Sequence, residues 1–339
     1  MKFISDDYSV IEQDFNRIID TLDNIDDKDI LVSAYRGLEV FNHILISSDI
    51  ADRKKLTHLK QTNKNYSLAN NIVKKYMIDN LKQFKKDKNF YIDLYKNIFI
   101  LINNNLQSKY IPNRPYTKIS EYDMYRILSL YYIDNDYDSL ELFNNRIKQN
   151  KVLEIPENDN ITGEALSSKL FDTTYITATK TADFEQMITI LHENSHAKYF
   201  DLIEKNKSHK EYNQFIYQNN FIEVYPEIEE QKFIKFLIDN NLMIEDIKVY
   251  LLRKLATLYN GVYKIVKTLN DDKLPSIGTI RHMNGLIYSC LLIEDNIKIE
   301  DLKEIENTTL EYYYDDNYNH DDIIEAPIYL VKEIQRLNK

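Results

Sequence analysis

His192, Glu193 and His196 stand within five residues of one another in "ITILHENSHAKYF", residues 188–200. On an α-helix, residues four apart share a face, so the two imidazoles would project side by side. Two histidines so spaced can supply two of the three protein ligands of a catalytic zinc, here one ion per chain. Glu193 follows the first of them, where its carboxylate could reach a metal-bound water and act as general base. The ion would lower that water's pKa and polarise a scissile carbonyl, so the spacing points to metal-assisted hydrolysis. Met187, Ile188, Ile190 and Leu191 make the approach to the motif apolar, as in a helix that crosses a core. Two histidines and a glutamate on such a helix are costly unless something satisfies them.

A third ligand is required, and "NNFIEVYPEIEEQKFIKFL", residues 219–237, offers Glu223, Glu227, Glu229 and Glu230. Glu223, Glu227 and Glu230 fall on one helical face. Carboxylates lined up in this way repel one another unless a cation or hydrogen bonds neutralise them.

The elements that must position these groups are mostly helical. Only 5 glycines and 6 prolines occur in 339 residues, which disfavours many short strands joined by tight turns. "YSVIEQDFNRIIDTL" sets Val10, Ile11, Phe15, Ile18, Ile19 and Leu22 near a 3.6-residue period, and "ILVSAYRGLEVFNHILI" and "FYIDLYKNIFILINNN" follow the same rule. Pro112 and Pro115 interrupt the helices, and Ser120 can cap the next one. This spacing predicts an N-terminal helical region over 1–110 and a catalytic region over 120–339, which could pack as one continuous domain. "TTYITAT" reads as a short strand over 174–179, and Asp183 with Gln186 forms a helix-start signal before the histidine motif. The strand is expected to present backbone groups to an extended peptide. "LEYYYDDNYNHDD" reads as an exposed acidic loop.

The strand, the motif helix and the glutamate segment together resemble the oligopeptidase F and thimet oligopeptidase family of zinc peptidases, of gluzincin type. That family has a strand, then a Thr-Leu-x-His-Glu-x-Gly-His helix, and some 25 residues later a Phe-x-Glu segment with another Glu seven residues on. "TTYITATKTADFEQMITILHENSHA" and "FIEVYPEIEE" match these parts, with Ser195 where the family usually has glycine. The resemblance implies a mainly α, zincin-like catalytic domain with a short strand or small sheet beside the motif helix. It implies zinc on His192, His196 and Glu223, with Glu230 as a carboxylate that orients a histidine ligand. "RHMNGLIYSCLL" is similar to the family's later histidine–tyrosine segment, so His282 and Tyr288 become candidates to bind substrate and steady the oxyanion. The family's repeated tyrosines shrink here to one. The resemblance runs from about 153 to 292 and is strongest over 174–232, in a chain shorter than family members.

The implied activity is hydrolysis of oligopeptides by zinc-activated water. The competing expectation is a peptidase-like scaffold that binds peptides or a protein partner without cleaving them, against which an intact Glu193 speaks. Cys290 is the single cysteine and excludes an intrachain disulfide framework. With no long apolar run and no signal-like start, a cytoplasmic protein without membrane association is expected. Net charge is −11, yet residues 53–88 hold eleven basic and two acidic side chains. That cluster reads first as a solvated helix surface; nucleic-acid binding is the lesser expectation.

Overall fold

The computed structural model describes residues 4–6, 9–45, 50–86, 88–105, 114–155, 162–171, 173–293 and 320–337. Pro112 and the 310–319 part of the tyrosine-rich segment lie outside them. The chain is mainly helical with one small sheet, and its contacts divide it into two compact units, each made of two chain segments. The first comprises Met1–Ile78 and Lys118–Gln218, and the second Asp79–Thr117 and Asn219–Lys339.

The first unit holds helices α1 (Ser9–Asn24), α2 (Lys28–Leu45), α3 (Ile50–Thr62) and the start of α4 (Lys64–Lys86), then α6 (Glu121–Asn135) and α7 (Tyr137–Lys148). Strands β1 (Val152–Ile155), β2 (Gly163–Leu166) and β3 (Tyr175–Thr179) follow, then α8 (Phe184–Asn206) and α9 (His209–Gln218). The helical period of the first segment is realised: Ile11, Phe15, Ile18 and Leu22 are buried along one stripe of α1. They join Leu38 and Phe41 of α2, Leu153 of β1, Phe171 and Tyr175 in one core. Phe41 is its hub, with ring centroids 5.9 Å from Phe15, 5.3 Å from Phe171 and 6.0 Å from Tyr175.

The sheet has the order β1-β3-β2, with β1 parallel and β2 antiparallel to β3. The expected strand is therefore present but central, and all five of its residues are buried. This corrects the expectation that it offers its backbone to a peptide, because ladders on both sides engage it. The outer edge of β1 is met by Ser5, whose N–H donates to Val152 O at 2.7 Å and whose carbonyl accepts from Glu154 N at 3.0 Å. β2 forms the other edge of the sheet.

Helix α8 packs on β2 and β3. Its start follows the sequence signal: Asp183 Oδ1 accepts from Gln186 N at 3.3 Å, and Gln186 Oε1 reaches back to Ala182 N at 2.7 Å. Ser120 likewise caps α6, accepting from Asp123 N at 3.1 Å.

The second unit contains the end of α4, α5 (Lys88–Asn105), α10 (Val224–Asp239), α11 (Ile244–Asn270), α12 (Ile277–Leu292), α13 (His320–Glu325) and α14 (Ile328–Leu337). Within it α11 packs along α5, and α10 packs against α12. Among the described residues no helix is long and apolar enough to cross a membrane.

A polar cluster around Asp14 ties the sheet to α1. Tyr175 donates to Asp14 Oδ2 at 2.6 Å, and the Lys151 ammonium lies 3.8 Å from Asp14 and 4.8 Å from the Tyr175 ring centroid. A hydrogen bond to a buried carboxylate contributes about 1.5–3 kcal/mol. Tyr175→Phe is expected to lower the unfolding free energy by that amount, read as a lower urea midpoint with the slope unchanged. An unmoved midpoint would show that the hydroxyl contributes nothing to stability.

Candidate metal centre

In the first unit the motif occupies the middle of α8, whose 23 residues are buried on most sides. His192 is half-buried, while Glu193 is 8% and His196 6% exposed. The two imidazole centroids are 4.8 Å apart, and a ring nitrogen of each lies within 4.8 Å of the other. His196 also stacks on Phe200 at 5.5 Å, which fixes its ring plane. Ser195, where the resembled family has glycine, folds its hydroxyl back onto Leu191 O at 2.9 Å and is accommodated inside the helix.

Gly163 of β2 meets this helix closely. A Cβ there would lie 2.4 Å from Thr189 Cγ2 and 3.3 Å from Glu193 Cγ, and 2.6 Å from the Thr177 carbonyl oxygen. Only glycine lets the edge strand come this near the candidate base.

In the second unit Glu223 is the residue at the start of α10, where the helix dipole favours a carboxylate. Gly285 of α12 abuts it: a Cβ at Gly285 would stand 2.6 Å from Glu223 Cβ and 3.2 Å from its carbonyl carbon. One helical turn before Gly285, His282 is exposed, with Nδ1 3.8 Å from Glu223 Oε2. That is beyond hydrogen-bonding distance. Tyr288, six residues after His282, is buried, with its ring 5.2 Å from Phe221. Burial, and then the nearby Tyr91, raise its hydroxyl pKa above the ordinary tyrosine value. The structure brings His282 beside Glu223 but places Tyr288 about 120° away around the same helix.

The cation that the row of carboxylates demanded is a lysine. Lys254 of α11, itself buried, is paired with both Glu227 and Glu230, whose oxygens lie within 4.8 Å of one another. Tyr250, one turn earlier, donates to Glu230 as well. Burial lowers the Lys254 pKa, but the charges of Glu227 and Glu230 outweigh it and hold the group above the usual lysine range. Glu229 turns to Lys232 at 2.9 Å. Both units thus carry clustered side chains of metal-ligating type, two imidazoles in the first and carboxylates in the second.

No protein-family model and no curated protein matches this chain. One similar solved structure, from Chlamydophila abortus, is described as that of a "putative peptidase". It is 13% identical, with a TM-score of 0.44, and the match covers 99% of this chain and 65% of that one. This chain spans just under two thirds of that protein's length.

Sequence reasoning passed over Lys254, Gly163 and Gly285. Lys254 gives no local signal, since its partners lie 24 and 27 residues away on another helix. The glycines could have been noticed, because only five occur in the whole chain.

Because the folded pKa of Lys254 is raised, its stabilisation is complete below the ordinary lysine range and is lost as pH climbs through the raised value. Lys254→Met leaves two buried carboxylates with no ammonium and is expected to cost about 3–5 kcal/mol at pH 7. The deficit should shrink as pH falls into the carboxylate range and the pair can neutralise itself. Equal deficits at pH 7 and pH 4.5 in urea titrations would refute the charge assignment.

Proposed function

We propose that this chain is a zinc metalloendopeptidase that hydrolyses peptide bonds of oligopeptides, in the manner of the oligopeptidase F and thimet oligopeptidase enzymes. The observation that carries this reading is α8, a buried helix with two imidazoles side by side and the Glu193 carboxylate next to them. The donor set suits zinc: two neutral nitrogen ligands from an i, i+4 pair, to be completed by one carboxylate and a water.

His192, His196 and Glu223 would hold the ion. Among the four candidate glutamates, Glu227 and Glu230 already share the charge of Lys254, and Glu229 pairs with Lys232. Recruiting Glu227 or Glu230 would take from the buried Lys254 one of its two carboxylates, and recruiting Glu229 would take the carboxylate paired with Lys232. Glu223 stands at the start of α10 with the His282 imidazole 3.8 Å away, and it holds the ligand position of the resembled family, which favours it. Glu230 would serve to orient a ligand from the outer sphere.

Bound zinc supplies a water acidic enough to lose its proton near neutral pH and a positive charge that polarises the scissile carbonyl. Glu193 would act as the general base toward the attacking water and as proton donor to the leaving amine, roles that need a carboxylate held rigidly beside the reacting atoms. His282, or less readily the buried Tyr288, would steady the charge that develops on the carbonyl oxygen.

The peptide would lie along β2 rather than β3. Thr179 N–H donates to Thr162 O at 2.7 Å, so by antiparallel alternation Gly163 turns its own N–H and C=O to the outer edge. An extended peptide added there would run next to Glu193.

Protein purified without chelator and dialysed against trace zinc should retain about one zinc per chain, and His196→Ala or Glu223→Ala should lose it. Glu193→Gln should keep the metal while peptide cleavage falls by about 10²–10⁴-fold. Undiminished cleavage by folded Glu193→Gln, or folded wild-type protein without zinc, would sink the reading. The zinc-free result would leave a peptide-binding scaffold in its place.

A further inference from the structure

The face of α8 opposite the histidines is polar and buried, which neither core packing nor metal binding explains. Relative to Asn194, Lys198 lies about 40° round the helix and Asp201 about −20°, whereas His192 and His196 lie about 160° and 200° round. Asn194, Lys198 and Asp201 thus form one stripe on the far side from the two imidazoles.

Every member of the stripe is bonded to another element of the same unit. Arg146 of α7 is fully buried at 0% exposure and forks across two of them. Its Nη1 donates to Asn194 Oδ1 at 3.0 Å and its Nη2 to Asp201, while Nε donates to the Thr174 carbonyl at 3.3 Å, just before β3. Asp201 also accepts from Thr174 N at 3.1 Å and Thr174 Oγ1 at 2.7 Å. Asn194 turns its amide to Tyr132 of α6 at 2.9 Å. Lys198 donates at 2.5 Å to Asp136, which joins α6 to α7 and caps α7 through Ser139 N.

Apolar side chains tolerate small rotations of a helix with little loss. A guanidinium fork with two fixed acceptors does not, because each bond requires a definite direction. A wrong rotation would also leave a charge buried and unpaired. Three such anchors over two turns of α8 fix its rotation and its depth on the sheet at once.

We propose that Arg146 is a positioning residue for the metal centre: through Asn194 and Asp201 it holds α8 in the one rotation that presents His192, Glu193 and His196 together. Asn194, inside the motif itself, is the nearer to the ligands of the two contacts through which it acts. The inference rests on the two histidines being metal ligands, and it assigns a role to a residue that touches neither metal nor substrate.

Cobalt substitution tests it, because the visible d–d bands of Co²⁺ report ligand geometry rather than stability. Wild-type protein, Arg146→Met, Asn194→Ala and Tyr132→Phe are loaded with Co²⁺ and, separately, titrated with Zn²⁺ against a chromophoric chelator. Ile18→Ala, which empties part of the α1–α2 core, serves as a destabilised control. Asn194→Ala and Tyr132→Phe leave the Arg146–Asp201 pair in place, so they keep the test readable if Arg146→Met does not fold. The expected result is altered bands and zinc affinity weakened about tenfold or more in Arg146→Met and Asn194→Ala, the range that loss of supporting contacts produces. Tyr132→Phe should change in the same sense by less, with the Ile18→Ala spectrum that of wild type. Wild-type spectra in Asn194→Ala and in every other folded stripe variant, with metal bound, would overturn the positioning role alone. A wild-type protein that binds neither ion would overturn both this inference and the peptidase reading.

Discussion

A helix that is buried on most sides must satisfy polar groups wherever they occur around it, and α8 carries them on two opposite faces. On the far face the partners are protein groups: Arg146, Tyr132, Asp136 and Thr174. On the near face the groups are His192, Glu193 and His196. Burying a polar group is costly unless it is hydrogen-bonded or paired, so both faces constrain how the helix is seated. The arrangement of the first unit follows from that constraint. The sheet lies against α8 so that β3 can bring Thr174 to Asp201, and α6 and α7 cross behind it to bring the arginine.

The second unit solves the opposite problem of too much like charge. Four glutamates fall within eight residues at the head of α10, and three of them are buried. Lys254 pairs with two and Lys232 with one, and Glu223 stands at the helix start, where the dipole favours an anion. Desolvating an ammonium is costly, yet two carboxylates at contact distance more than offset it, which is why its proton is held so firmly. The lysine therefore does more than stabilise: it distinguishes among glutamates that the sequence presents as equivalents.

What could be read in the sequence was local. The stripe of Ile11, Phe15, Ile18 and Leu22, the caps at Ser120 and Asp183, and the side-by-side histidines all depend on spacings of three or four residues, and the structure contains each of them. The 174–179 strand was legible as well, but not its place in the sheet. β1 and β2 are four residues each and share no common alternation, so nothing in them announces a partner on either side of β3. Its five consecutive buried residues are the mark of a central strand, and "YITAT" conceals this by interposing two threonines that are buried too. Arg146 and Lys254 were equally silent. Each is one basic residue among many on an amphipathic helix, and only the fold brings it to acids 55, 24 or 27 positions away.

The scarcity of glycine sharpens the point. Backbone freedom is not why Gly163 and Gly285 are needed, since neither has a positive φ. Each is instead a place where two elements approach closer than a methyl group allows, β2 against Thr189 of α8 with Glu193 just beyond it, and α12 against Glu223. Those are the proposed base and the proposed third ligand. In a chain that uses glycine only five times, two fall beside these two carboxylates, while Gly37 against Ile18 and Gly261 against Met283 are packed at least as closely in the cores. A side chain at Gly163 or Gly285 would have to push a carboxylate or move a backbone, and in a close-packed interior neither shift is absorbed without displacing what lies beyond it.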